Sequence, residues 1–206
     1  MNLNIWLTFL LASILISLSP GVGAIKSMNS GISYGFQSSI PTILGLQLGY
    51  GIQIFIVAIG LGAIITSSAA AFLTIKWGGV LYLLWLGIDK WRSAGSLVSI
   101  ESKVNSPKKQ FWQSAAVNLT NPKATVFLVA LFPQFLSSSN TSHETQLLLM
   151  ATTLIIVDLT IMFSYAALAS QLNSFIKSES RLKLINKTFG SFFILAALAL
   201  LSYQKN

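Results

Sequence analysis

Residues 147–172 read LLLMATTLIIVDLTIMFSYAALASQL, an apolar stretch that holds one carboxylate, Asp158. About 20 mainly apolar residues are enough for a helix to cross the hydrocarbon core of a bilayer. A charged side chain at the centre of such a helix costs roughly 2.5–3.5 kcal/mol on insertion scales, so residues of this kind face a bundle interior or a wet cavity. The stretch therefore predicts a membrane protein with a solute or ion path at Asp158.

The composition of the whole chain agrees with a membrane protein. Of its 206 residues only 9% are charged, whereas a soluble domain carries about 25%. The net charge of +8 comes from basic residues spread between apolar stretches, which is typical of cytoplasmic loops and not of a nucleic-acid surface. The chain has no cysteine and one histidine, His143, in a polar loop, so we predict no disulfide, no metal site and no cofactor.

Apolar stretches divide the chain into six candidate spans, separated by short polar or charged connections. The expected spans are about Leu3–Ile25, Ser39–Ile65, Ala69–Ile88, Phe111–Leu136, Leu147–Leu172 and Leu184–Tyr203. Gly31–Gln37 is expected to form the turn between the first two. The predicted fold is an all-α polytopic bundle of six spans that forms a single transporter domain over residues 1–206.

Basic residues predict the orientation of this bundle, because Lys and Arg favour cytoplasmic loops. The connections after spans two and four carry neither residue. The basic residues of the connections after spans one, three and five are Lys26; Lys90, Arg92, Lys103, Lys108 and Lys109; and Lys177, Arg181 and Lys183. Both termini are therefore expected outside the cytoplasm.

Two prolines interrupt apolar spans at corresponding places. Pro20 lies in the first span and Pro122 in the fourth, so a division into residues 1–88, a loop at 89–110, and 111–206 gives each half one interrupted helix. Halves of three spans each must be inverted relative to one another. Paired interruptions in inverted halves indicate the binding site of a transporter.

The first interruption contains the motif Ser19-Pro20-Gly21-Val22-Gly23. Proline removes a backbone donor and clashes with the preceding turn, and glycine tolerates unusual dihedral angles. The motif can free amides that bind an anionic group such as a carboxylate, so Ser19, Pro20, Gly21 and Gly23 are candidate binding residues. The alternative is a structural kink or a helix end at the membrane interface.

The second interruption is Asn118-Leu119-Thr120-Asn121-Pro122-Lys123. Asn118 and Asn121 share a helical face, which should turn inward because amides facing lipid are costly. Asn118, Asn121, Pro122 and Lys123 are candidate binding residues. Lys123 could pair with Asp158, bind a substrate carboxylate, or snorkel to the interface.

The fifth span places Asp158, Met162 and Tyr165 on one face. Asp158 and Tyr165 are candidate binding residues. The acid could bind a substrate ammonium or carry a coupling proton, and the alternative is a static salt bridge between helices.

Small residues in the second span, in the pattern Gly45-xxx-Gly49, predict close helix packing. Gln47 and Gln53 of that span could line a cavity or bond a neighbouring helix.

A family resemblance is carried by motifs spread in order over nearly the whole chain. They are Ser19-Pro20-Gly21; Gly31 and Gly35; Lys76-Trp77-Gly78-Gly79-Val80-Leu81-Tyr82-Leu83 with Gly87; Asn118-Leu119-Thr120-Asn121-Pro122-Lys123; Phe132-Pro133-Gln134-Phe135; and Asp158 with Tyr165-Ala166. These motifs resemble the lysine exporter/homoserine-threonine resistance (LysE/RhtB) family. The resemblance implies a small bacterial inner-membrane protein that exports amino acids with the proton motive force. Val22 departs from the family's frequent Ser-Pro-Gly-Pro, so the break in the first span could be shaped differently.

The leading interpretation is therefore an amino-acid exporter, with an amino acid, the bilayer and a proton as its partners. As the only acid well inside a predicted span, Asp158 favours neutral substrates over basic ones. A cation or metal exporter is the alternative within transport, although the chain offers poor ligands for soft metals. An intramembrane enzyme lacks a second membrane carboxylate or a buried base, so no catalytic residues are predicted. A non-transporting scaffold would tolerate substitution of Asp158 and Asn121. The sequence leaves the oligomeric state open.

Overall fold

The computed structural model describes residues 1–67, 69–92, 105–136 and 142–171, with scattered helical positions between 180 and 198. Within these residues the regular structure is entirely helical, which confirms the predicted all-α class. The elements are α1 (Leu3–Leu18), α2 (Val22–Tyr34), a 3-10 turn (Gln37–Ser39), α3 (Ile40–Ser67), α4 (Ala69–Arg92), α5 (Pro107–Leu119), α6 (Pro122–Phe135) and α7 (His143–Gln171).

Among the described residues, two segments are individually long and apolar enough to cross a membrane. They are α7 and the segment Gln37–Gly60, most of which belongs to α3. The pairs α1 with α2 and α5 with α6 would each add a span if each bent pair crosses as one unit. The predicted third span falls within α4, and the predicted sixth, Leu184–Tyr203, lies mostly outside the described residues. The six-span count therefore remains a prediction.

Both bent pairs are interrupted at the two prolines. Between α1 and α2 the axis bends by 56°, and between α5 and α6 by 47°. Pro20 has no N–H to donate to the carbonyl of Ile16, four residues back, so α1 ends before it. Pro122 occupies the first turn of α6, where a missing N–H costs nothing. Proline chemistry thus places both breaks where the sequence predicts them.

The expected end of the first span at Lys26 is wrong. α2 continues to Tyr34, because neither the half-buried Lys26 nor Gly31 interrupts the helix. Gly35 adopts φ of 79°, a left-handed conformation that favours glycine and ends the helix. Gly31, expected in a turn, is helical, and a Cβ there would collide with the backbone carbonyl of Ala166 on α7.

The packing of α3 against α5 depends on the two glycines of the Gly45-xxx-Gly49 pattern. A Cβ on Gly45 would collide with the carbonyl oxygen of Phe111, and one on Gly49 with that of Ala115. The two backbones therefore approach too closely for any side chain between them. This confirms the prediction of close helix packing at these glycines.

Alanine at Gly49 is expected to lower the melting temperature of the detergent-solubilised protein. Overpacking of this kind costs about 1–3 kcal/mol, more than the gain in helix propensity. Gly51→Ala is the matched control two residues away, because a Cβ at Gly51 meets nothing within 4 Å. The control should melt at or above the wild-type temperature, and equal losses in the two variants would contradict this packing.

An aromatic cluster fills the bundle between α1, α6 and α7. The Phe9 ring lies 6.0 Å from that of Phe132 and 5.1 Å from that of Phe135, both edge to face. Phe9, Phe132, Leu128 and Leu154 are fully buried. This part of the core is therefore mainly apolar.

Candidate functional site

The carbonyls at the end of α1 are held by side chains from far along the chain. The Lys123 ammonium donates to the carbonyl oxygens of Ile16 at 3.0 Å and Ser19 at 2.7 Å. The Tyr165 hydroxyl donates to the carbonyl of Leu18. The last carbonyls of a helix have no intrahelical donors and carry its negative dipole end. A cation from α6 and a hydroxyl from α7 therefore stabilise the break in the first span.

The break between α5 and α6 is held in a comparable way by Gln53 of α3. The Gln53 amide nitrogen lies 3.0 Å from the Leu119 carbonyl, 3.1 Å from the Asn121 carbonyl and 2.7 Å from the Thr125 hydroxyl. The Asn121 side chain also accepts a bond from the Lys123 amide and caps α6. Lys123 of the second interruption thus holds the first one, while Gln53 of the unbroken α3 holds the second.

Two asparagines connect this break to α3. The Asn121 amide donates to the Asn118 side-chain oxygen at 3.1 Å, and the Asn118 amide donates to the Leu46 carbonyl at 2.8 Å. Both side chains therefore turn toward protein. The sequence-predicted inward face of this segment agrees with these bonds.

Asp158 lies in the middle of α7 and is buried. Its carboxylate accepts a hydrogen bond of 2.6 Å from the Gln47 amide of α3. The other polar atom of that amide, Gln47 Oε1, has no hydrogen-bond partner. Of the two alternatives for Gln47, the structure has it bond a neighbouring helix, and its partner is the candidate site residue.

The N-terminus of α2 presents its first amides without a side-chain cap. Gly21 is the N-cap residue and makes no side-chain hydrogen bond. Amides at such a helix end, together with the positive dipole end, bind anions such as a carboxylate. Ser19 is 2% exposed, and its hydroxyl also has no partner. A donor hydroxyl and several amides are therefore free to bind an anionic group.

These groups surround one cavity of about 40 Å³. Its lining residues are Ile16, Ser17, Ser19, Gly21, Gly23, Ala24, Tyr50, Asn118, Asn121, Lys123, Ala124, Asp158 and Met162. Seven of the ten predicted site residues are among them. Pro20 and Pro122 shape the breaks, and Tyr165 bonds the end of α1 instead.

The cavity is large enough for a few water molecules. Its volume is well below the roughly 300 Å³ of small-molecule pockets, so a larger solute requires helix movement.

The structure adds lining residues that the sequence did not single out. Tyr50 is 4% exposed and Ser17 is 5% exposed, and both line the cavity. Tyr50 lies three residues from both Gln47 and Gln53, so a polar face on α3 was the available signal. Ser17 lies in the last turn of α1, and no motif in the sequence sets it apart from the other serines of that helix.

The charges around the cavity are arranged for a molecule with both signs of charge. Asp158 offers a carboxylate to a cation, while the α2 N-terminus and the Lys123 ammonium favour an anion. Among the described residues, no group of three or more His, Cys, Asp or Glu side chains lies close enough to hold a metal ion. The arrangement therefore suits a zwitterion.

Comparison with known proteins identifies relatives along the full length of the chain. The profile of the family described as LysE type translocator matches residues 14–204. An uncharacterized membrane protein of Vibrio cholerae is 43% identical over 195 residues, which cover 94% of this chain and 95% of that protein. No solved structure matches the chain.

Two further relatives carry functional names. The homoserine/homoserine lactone efflux protein of Salmonella typhimurium is 42% identical over 203 residues, 98% of each chain. The leucine efflux protein of an Enterobacter species is 30% identical over 195 residues, covering 93% of this chain and 92% of that protein.

Proposed function

We propose that this chain, which belongs to the LysE type translocator family, exports a small neutral amino acid across the bacterial inner membrane. The family is one of membrane transporters, and the resemblance inferred from the motifs is thereby confirmed. The observation that carries the proposal is that Asp158 and the uncapped N-terminus of α2 face the same cavity.

In the proposed mechanism the two ends of a zwitterion bind opposite groups. The α-ammonium of the substrate binds the Asp158 carboxylate in place of the Gln47 amide. The α-carboxylate binds the amides of α2 near Gly23, with the Ser19 hydroxyl and the Lys123 ammonium nearby. The side chain of the substrate then lies against Tyr50 and other lining residues.

The proposed substrates are neutral because the cavity offers one acid for one ammonium. A basic amino acid carries a second cation that would need another carboxylate. Relatives named for homoserine and leucine efflux support a neutral side chain. Homoserine is the first candidate because the relative named for it is the more similar of the two.

Movement is proposed to follow from the two broken helices. The halves, residues 1–88 and 111–206, would rock about the cavity and expose it to each side in turn. A proton on Asp158 would compete with the substrate ammonium and couple export to the proton motive force. Both termini lie outside the cytoplasm in this arrangement.

Expression of the chain is expected to accelerate efflux of labelled homoserine from preloaded cells, and a protonophore should abolish the increase. Efflux of lysine should stay at the level of cells with an empty vector, because the cavity has one acid. The measurement is retained label against time for a panel of amino acids, with membrane levels of the protein matched.

Two results would contradict the proposal. Tolerance to a metal salt without amino-acid efflux would identify a cation exporter instead. Unchanged efflux of every amino acid and unchanged metal tolerance would favour a scaffold that keeps the family's fold alone.

A further inference from the structure

A continuous line of buried polar side chains leaves the cavity along α2, α3 and α5. We call it the polar seam, and it consists of Ser27, Ser30, Thr42, Gln110 and Ser114. Each of these residues is at most 5% exposed. Buried polar groups of this density are costly in a membrane bundle unless they serve a path or a network.

The seam is continuous with the cavity through the helical repeat. Gly23 and Asn118 both line the cavity, and a Cβ on Gly23 would lie 3.7 Å from the Asn118 side-chain oxygen. Ser27 follows Gly23 by four residues on α2, and Ser114 precedes Asn118 by four on α5. Residues four apart lie on one helix face, so the polar faces of both helices extend away from the cavity.

Hydrogen bonds extend the seam to the start of α5. Ser30 and Thr42 share a bond of 3.0 Å, and Thr42 lies 3.2 Å from the side-chain oxygen of Gln110. The Gln110 amide donates to the carbonyl of Asn105 at 2.9 Å, just before α5 begins. The seam thus reaches the segment that carries Lys108 and Lys109.

Two hydroxyls of the seam have no hydrogen bond at all. Ser27 and Ser114 are fully buried, and the Oγ atom of each lacks a partner. Ser13 is equally buried, but its hydroxyl donates to the Phe9 carbonyl of its own helix at 2.7 Å. Ser13 thus uses an acceptor of its own helix, whereas the Ser27 and Ser114 hydroxyls remain able to bind a polar solute.

The opposite side of the cavity has a different character. The aromatic cluster of Phe9, Phe132 and Phe135 lies there, between the start of α1, the end of α6 and the start of α7. A hydrated or zwitterionic solute cannot cross this packed aromatic layer without its opening. One side of the cavity is therefore lined with hydroxyl and amide side chains, and the other is closed by packed aromatic rings.

From this asymmetry we infer that the polar seam is the cytoplasmic access route for the zwitterionic substrate, and that the aromatic cluster is the closed extracytoplasmic barrier. Ser27 and Ser114 replace part of the solute's hydration as it passes. This inference rests on the proposed export function, and its direction follows from the basic residues at the seam's outer end.

Single cysteines test the route without background, because the natural chain has none. Ser27→Cys and Ser114→Cys are nearly isosteric, and Thr42→Cys is a third seam position should either fail to fold. Ser13→Cys is the matched control, since Ser13 is as buried as Ser27. A charged, membrane-impermeant methanethiosulfonate is added to inside-out vesicles, with and without homoserine, and homoserine transport is measured in the same vesicles.

We expect the seam variants to react about tenfold faster than Ser13→Cys, because a thiol in apolar surroundings ionises less readily to the reactive thiolate. Homoserine should slow the reaction of the seam variants. Seam variants that transport homoserine but react no faster than the control would overturn the route and leave the export function intact. Fast labelling without transport of any amino acid would instead overturn the export function, and it would show that the seam is accessible to water.

Discussion

Export of homoserine is expected to fall about 100-fold when Asp158 is replaced by asparagine. The substitution removes the charge that binds the substrate ammonium, and a hydrogen bond to a charged group is worth up to about 3 kcal/mol, or about 100-fold in rate. The fold should survive, because the unpartnered Gln47 Oε1 can accept a bond from the new amide. Efflux is measured in cells with matched membrane levels of each protein.

Glu144→Gln is the matched control for this variant. Like Asp158→Asn, it replaces a carboxylate of α7 by the corresponding amide. Glu144, however, is exposed in the first turn of that helix. We expect wild-type efflux from this control. If Asp158→Asn also exports normally, Asp158 has only a structural role, and the proposed binding site is wrong.

Replacement of Lys123 by methionine is expected to destabilise the protein and to abolish export together. Methionine keeps most of the length of the side chain but leaves the Ile16 and Ser19 carbonyls without their donor. Hydrogen bonds from a charged group contribute about 1.5–3 kcal/mol, so a clear drop in melting temperature in detergent is expected. Lys123→Arg keeps a cation with several donors and should recover part of that stability.

Lys108→Met provides the comparison, because Lys108 is exposed at the start of α5. That variant should melt and export like the wild type. A Lys123→Met protein with unchanged stability would show that the cation is not needed to hold the break, and would argue for a lysine that snorkels to the interface.

The parts of the site that follow from local rules were predictable. Pro20 and Pro122 remove backbone donors wherever they stand, so both breaks could be located from the sequence. A charge at bilayer depth is costly in any span, and Asp158 was recognised for that reason. The glycine pattern on α3 also predicted close packing correctly.

The partners of these residues were less accessible to sequence reasoning. Lys123 bonds carbonyls that a proline frees about a hundred residues earlier, so three destinations stayed open until the helices were packed. Gln47 meets Asp158 only because α3 lies beside α7. Tyr50 was not predicted, because only the packing of α3 shows that its side chain lines the cavity. The end predicted for the first span was wrong for a different reason, because a charged residue such as Lys26 suggests a boundary, whereas α2 accommodates it.

The central claim is that a neutral amino acid binds in the cavity at Asp158 and is carried across the membrane. Counterflow of labelled homoserine into proteoliposomes preloaded with unlabelled homoserine tests it most directly, because it requires binding and transport but no proton gradient. We predict counterflow with the wild type and Glu144→Gln, and none with Asp158→Asn. Equal counterflow in all three, or none in the wild type, would contradict the account.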